Sequence, residues 1–159
     1  MKTDQHEEYM ELAIRIAAEN IDNGNGGPFG AVVVKNGKII AASGNKVTSS
    51  NDPTAHAEVV AIREACQVLH NFDLTGCTIY ASCEPCPMCL AAIMWARIDG
   101  IFYAADRNDA AFAGFDDEKF YDEFARPSGE RLLPAQQILQ EKAVEVFSKW
   151  IEKEDKIHY

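Results

Sequence analysis

Apolar positions first recur at helical spacing. Tyr9, Leu12, Ala13, Ile16, Ala17 and Ile21 form one stripe between His6 and Asp22, which predicts an amphipathic helix covering a sheet. Asn23-Gly24-Asn25-Gly26-Gly27-Pro28 then breaks the chain; lacking the Lys-Ser/Thr pair of a P-loop, it reads as a loop rather than a phosphate cradle. Beyond it the pattern changes to strand. Residues 30–35 and 38–43 are rich in Val, Ile and Ala and are joined by Asn36-Gly37, the favoured two-residue hairpin turn, so two antiparallel strands are expected. A polar loop, 44–51, leads to Asp52 and Pro53, an N-cap and a first-turn residue. The helix they open carries Val59, Ile62, Cys66 and Leu69 on its apolar stripe.

The second half alternates the two periods. A short strand over 78–82 is followed by Pro85 and Pro87, which open a helix over 86–97, and by a buried-looking strand over 100–105. Strands alternating with helices predict an α/β sheet with helices on both faces. Residues 106–117 form a Gly- and Asp-bearing loop suited to closing over a pocket. A short helix around 121–124, a last edge strand over 136–139 and a terminal helix over 144–150 complete the expectation. Asn45 reads on its own as turn chemistry.

Composition narrows the class. With 159 residues, 47% of them hydrophobic, the chain fills one domain and is short for two. No apolar run approaches a membrane span, and the polar start, residues 1–8, has no signal-peptide core, which predicts a cytoplasmic protein. Five cysteines, an odd number with three clustered, argue against a disulfide framework; Cys66 and Cys77 read as small core residues. A net charge of -10 with interspersed Lys and Arg makes a nucleic-acid partner unexpected, because such affinity rests on cations displacing counterions.

The chemistry lies in Thr54-Ala55-His56-Ala57-Glu58 and Ser82-Cys83-Glu84-Pro85-Cys86-Pro87-Met88-Cys89. Taken singly, His56 is a core histidine on a helix stripe and Cys-x-x-Cys a redox pair or buried sulfur. Together, a His-x-Glu and a proline-flanked Cys-x-x-Cys supply one imidazole and two thiolates, the ligand set of a zinc site with its fourth position open to water. Cys83, Cys86 and Cys89 are evenly spaced; Cys86 and Cys89 are preferred, since Cys83 ends an apolar run and reads as a strand-end thiol. Two helix N-termini converging on the metal would favour the thiolates. Residues two apart diverge in mid-helix, so His56 and Glu58 share a site only if it sits over a helix end. Glu58 is the carboxylate placed for proton transfer without binding metal, and Glu84 reads as a helix-dipole or supporting group.

The two motifs match the signature of zinc nucleobase deaminases, whose glutamate is the general acid/base. Through residues 26–32, 51–58, 83–90, 113–117 and Tyr159, the chain resembles the bacterial guanine deaminases of the cytidine-deaminase-like superfamily. The segment Ala113-Gly114-Phe115-Asp116-Asp117 and the terminal Tyr159 carry the guanine-specific part. The resemblance implies a three-layer α/β/α sandwich with a mixed five-stranded sheet. It also implies one zinc per chain, a homodimer, and hydrolysis of guanine to xanthine and ammonia. His56, Cys86 and Cys89 then resemble the zinc ligands and Glu58 the proton shuttle, with Phe29, Asn45, Ala57, Trp95, Asp116 and Tyr159 around the base. In similar enzymes the C-terminal segment, here 140–159, reaches the partner subunit. Guanosine or cytosine deamination on the same scaffold, a tRNA adenosine deaminase, and a structural zinc module closed by Cys83 are the alternatives.

Overall fold

A central strand buried on both faces organises the first part of the chain. In the computed structural model, which describes residues 3–115 and 117–159, β1 (Gly30–Lys35) sits between β2 (Lys38–Gly44) and β3 (Cys77–Cys83), with β4 (Gly100–Ala105) beyond β3. β1 runs antiparallel to both neighbours and β3 parallel to β4, a mixed sheet. Alternation along β1 divides its side chains between two layers. Val32 and Val34 pack with Tyr9, Ala13 and Tyr80 under α1 (Thr3–Asn23), whereas Ala31 and Val33 join Ala57, Ala61, Ala65 and Ile93 on the other face. The second layer is built by α3 (Ala57–Leu69) and α4 (Pro87–Trp95), which gives the expected α/β/α sandwich.

Four strands, not five, form the sheet among the described residues, and 136–139 is not a strand. That short stretch has no ladder partner, and a strand exists only through its pairing. The hairpin is as expected: Asn36 and Gly37 both have positive φ, 51° and 74°, as the turn requires. On α1 the stripe runs through Tyr9, Ala13 and Ala17 to a buried Asn20, while Ile21 is exposed. Gly30 lets this helix approach closely, since a Cβ there would lie 2.2 Å from the Ala13 carbonyl oxygen.

Local chemistry moved three further boundaries. A short α2 (Val47–Ser50) interrupts the loop before the histidine motif. Asp52 does not cap α3; its Oδ1 accepts from the Thr54 amide (2.8 Å) and hydroxyl (2.6 Å), closing a turn that leaves His56 as the N-cap. After β4, α5 (Arg107–Phe112) replaces the expected loop, opened by a capping box between Asp106 and Asp109.

The chain divides into two compact units, Met1–Glu118 and Lys119–Tyr159. The second comprises most of α6 (Glu118–Ala125), a 3-10 turn (Ser128–Glu130) and α7 (Gln140–Glu152). None of its residues is buried. No helix among the described residues is long and apolar enough to cross a membrane.

Candidate metal centre and active site

Helix starts position the reactive groups. His56 is the N-cap of α3, with extended φ −63° and ψ 153°, and Cys86 is the N-cap of α4, with φ −62° and ψ 167°, followed by Pro87 at the first helical position. Cys89 lies in the first turn of α4 and Glu58 in the first turn of α3. The site therefore stands over two helix ends, which removes the divergence that mid-helix placement would impose. It also stands near the carboxyl ends of β3 and β4, where open α/β sheets place their ligands.

His56 Nδ1 is 3.6 Å from Cys86 Sγ and 3.5 Å from Cys89 Sγ, and one ligand atom from each of the three residues lies within 4.8 Å of the others. Tetrahedral coordination, with zinc about 2.05 Å from nitrogen and about 2.3 Å from sulfur, requires N···S separations of about 3.6 Å. The donor set and its spacing fit zinc, with one position left over. Cys83 stands outside the cluster: its thiol donates to the Asp106 carbonyl (3.6 Å), and burial followed by the Glu58 charge pushes it up to about 11.

Electrostatics separate the two clustered thiols. Cys86 is drawn down to about 4 by the Cys89 thiol and by His56, against the cost of burial. Cys89 is driven upward by the neighbouring Cys86 sulfur and by burial. His56 is held above its ordinary value, chiefly by Cys86. Glu58, only 7% exposed, is raised by burial, which suits a carboxylate that must take up and hold a proton.

Three of the residues expected around the base, Ala57, Asn45 and Phe29, lie in the first unit. Ala57 is fully buried at the start of α3. Asn45 is also buried, and its Oδ1 accepts from the amides of Val47 (3.0 Å) and Gly27 (3.3 Å). The turn chemistry is thus real, and the Asn45 carboxamide nitrogen donates to none of the described residues. The Phe29 ring meets Phe115 edge-on at 4.8 Å. Trp95 ends α4 with an exposed side chain, Tyr159 belongs to the second unit, and Asp116 lies outside the described residues. The residue that sequence reasoning passed over is Asp117. Its carboxyl is raised by burial and feels the Cys86, Arg107 and Glu84 charges, and it acts in turn on His56. The signal was the adjacent pair Asp116-Asp117, of which only the first was singled out.

Residues 3–105 match the cytidine and deoxycytidylate deaminase zinc-binding region. The chain belongs to that family. Within it, the chain is 53% identical over 145 residues to a guanine deaminase of Bacillus subtilis, covering 91% of this chain and 93% of the relative. The X-ray structure of guanine deaminase from Bacillus subtilis superposes with a TM-score of 0.94 at 50% identity, covering 100% of this chain and 99% of that one. A tRNA-specific adenosine deaminase of Agrobacterium fabrum is 45% identical over 97 residues, 61% of this chain and 63% of the relative. Membership in this zinc deaminase family agrees with the N···S spacing of the cluster.

Proposed function

We propose that the chain, residues 1–159 acting as one deaminase domain, hydrolyses guanine to xanthine and ammonia. The observation that carries this is the buried Glu58 carboxylate beside an open His56–Cys86–Cys89 cluster, in a chain aligned almost end to end with a guanine deaminase. The alignment necessarily runs past residue 105, where the family match stops, whereas the adenosine deaminase match spans a shorter stretch. The net charge of -10 also disfavours a tRNA substrate.

His56, Cys86 and Cys89 hold the zinc, which when bound supplies the Lewis acidity that makes water nucleophilic near neutral pH. Glu58 accepts a proton from the attacking water and passes it to a ring nitrogen, then takes the remaining proton of the added hydroxyl and passes it to the departing amine, so that guanine and water become xanthine and ammonia. Burial supports each transfer, because a raised carboxyl holds its proton between steps. Phe29, Ala57 and Trp95 supply apolar contact to the base, and Asn45 offers its carboxamide nitrogen as a donor. Asp116, Asp117 and the Tyr159 terminus supply acceptors for the ring N–H and exocyclic amine, a pairing that rejects purines lacking those donors.

The second unit exposes Leu132, Leu133, Val146, Phe147, Trp150 and Ile151, apolar side chains that association would shield from water. A homodimer with exchanged C-terminal segments accounts for it. All five cysteines are free, which suits a cytoplasmic enzyme.

Ammonia release from guanine, guanosine, adenine and cytosine, measured on zinc-loaded protein, tests the assignment. Guanine should dominate. A preference for another member of the panel, or tight tRNA retention on filters at low salt, would replace the reading.

A further inference from the structure

Glu84 sits two residues before a metal-binding cysteine, yet it serves neither the metal cluster nor the first turn of α4. The N-cap of α4 is Cys86 without any side-chain cap. The Glu84 carboxylate turns instead to the start of α5: Oε2 accepts from the Arg107 amide (3.1 Å) and Nε (3.3 Å), and Oε1 accepts from Nη2 (2.9 Å). The Glu84 amide donates to the Ala105 carbonyl at 2.8 Å, and the Cys83 thiol donates to the Asp106 carbonyl at 3.6 Å. Residues 83–84 are thus stitched to 105–107 by five hydrogen bonds of three kinds. The planar guanidinium fork fixes orientation as well as distance, which a point charge would not. Glu84 is the more sheltered partner, with its side chain 19% exposed against 44% for Arg107.

What lies at each end of this tie gives it a purpose. On one side, Pro85 and Cys86 follow directly, so fixing Glu84 fixes the backbone that presents the Cys86 sulfur. On the other, the chain leaves α5 through Gly114, with φ +93°, to Phe115, whose ring packs edge-on against Phe29. Asp117 follows, within the field of both Glu84 and Arg107. We infer that Glu84 and Arg107 are positioning residues: their bidentate pair clamps the metal-binding loop to the α5 segment that carries Phe115 and Asp117, coupling metal retention to the shape of the substrate wall. The inference rests on the deaminase reading for its substrate half and on the metal cluster alone for the other half.

The test uses zinc-loaded full-length Glu84→Gln, Arg107→Gln, their double variant and Arg107→Lys. Zinc release into a chromogenic chelator, without substrate, should accelerate by about tenfold in each Gln variant, within the span typical of outer-shell changes. KM for guanine should rise severalfold while kcat changes less. The double variant should behave like either single, because the guanidinium–carboxylate pair is lost in all three. Arg107→Lys, which keeps the charge but not the fork, should still release zinc faster than the parent, and it carries both readouts if a Gln variant unfolds. Zinc release and KM within twofold of the parent, or singles whose effects multiply in the double variant, would overturn the clamp. If the parent itself leaves guanine unchanged, the substrate assignment fails, and zinc release still decides the coupling.

Discussion

The two units of the chain solve the burial problem in opposite ways. Met1–Glu118 wraps Tyr80, Val32, Val33 and Ile79 completely and closes its polar turns on itself, as when Asn20 donates to the carbonyls of Gly27 (2.7 Å) and Asn45 (2.9 Å). Lys119–Tyr159 has helices with apolar faces and no interior. The first unit thus carries what a metal site needs, a rigid frame that holds three ligand atoms at fixed spacing. The second exposes apolar side chains along its helices, and it ends in the residue that the family resemblance assigns to substrate selection. The metal cluster and the tail residue thus lie in units of different self-sufficiency, and each can be altered separately.

The largest effect should come from the frame. Cys86→Ser should abolish zinc binding and with it turnover, measured by metal analysis and ammonia release, whereas Cys83→Ser should keep its zinc. The opposite pattern would exchange the roles of the two cysteines. Next comes the C-terminal tail. Deleting residues 157–159 should sharply lower guanine turnover and its preference over adenine while leaving zinc content and Tm nearly unchanged. Equal rates would reduce Tyr159 to a frayed end.

The contrast also sharpens through stability. Tyr80 is fully buried, stacks on Phe102 at 5.2 Å, and bonds His6 Nδ1 at 2.7 Å, so Tyr80→Ala should cost about 3–5 kcal/mol in denaturant unfolding at any protein concentration. Trp150→Ala should instead weaken association, seen as a steeper dependence of Tm on protein concentration. A concentration-independent Tm in both parent and variant would remove the exchanged dimer.

The smallest effect is a pH one, at the cap of α5. Asp106 accepts from the amides of Asp109 (3.0 Å) and Asn108 (2.8 Å), and these bonds hold its carboxyl below the ordinary value. Because the folded value is depressed, the stabilisation is complete above the ordinary carboxylate range and is lost as pH falls through the folded value. Asp106→Ala should lower Tm slightly at neutral pH, with the difference vanishing in acid. A difference that grew toward low pH would contradict the capping role.

How far the sequence went depended on whether an element's signal was local. The Asn36-Gly37 hairpin and β4 were legible because turn chemistry and a bounded apolar run act on their own residues. The metal cluster was legible for the same reason, since its spacing is set within two short motifs. α5 was missed because its Asp106-x-x-Asp109 box was absorbed into a Gly- and Asp-bearing loop, and the cap of α3 was placed at Asp52 because Asp and Pro suit a helix start as well as a turn. The strand expected over 136–139 failed because strand formation depends on a partner, which no local pattern supplies. The Glu84–Arg107 pair, 23 residues apart, was beyond any spacing rule.

The central claim is that a buried carboxylate beside the zinc ligands moves the protons of guanine hydrolysis. The most direct measurement is xanthine formation from guanine by zinc-loaded parent and Glu58→Gln proteins, followed by ultraviolet absorbance. The parent should form xanthine, and the variant should keep its zinc while its rate falls by roughly a hundredfold to ten-thousandfold. A zinc-replete Glu58→Gln protein that forms xanthine within a few-fold of the parent rate would contradict it.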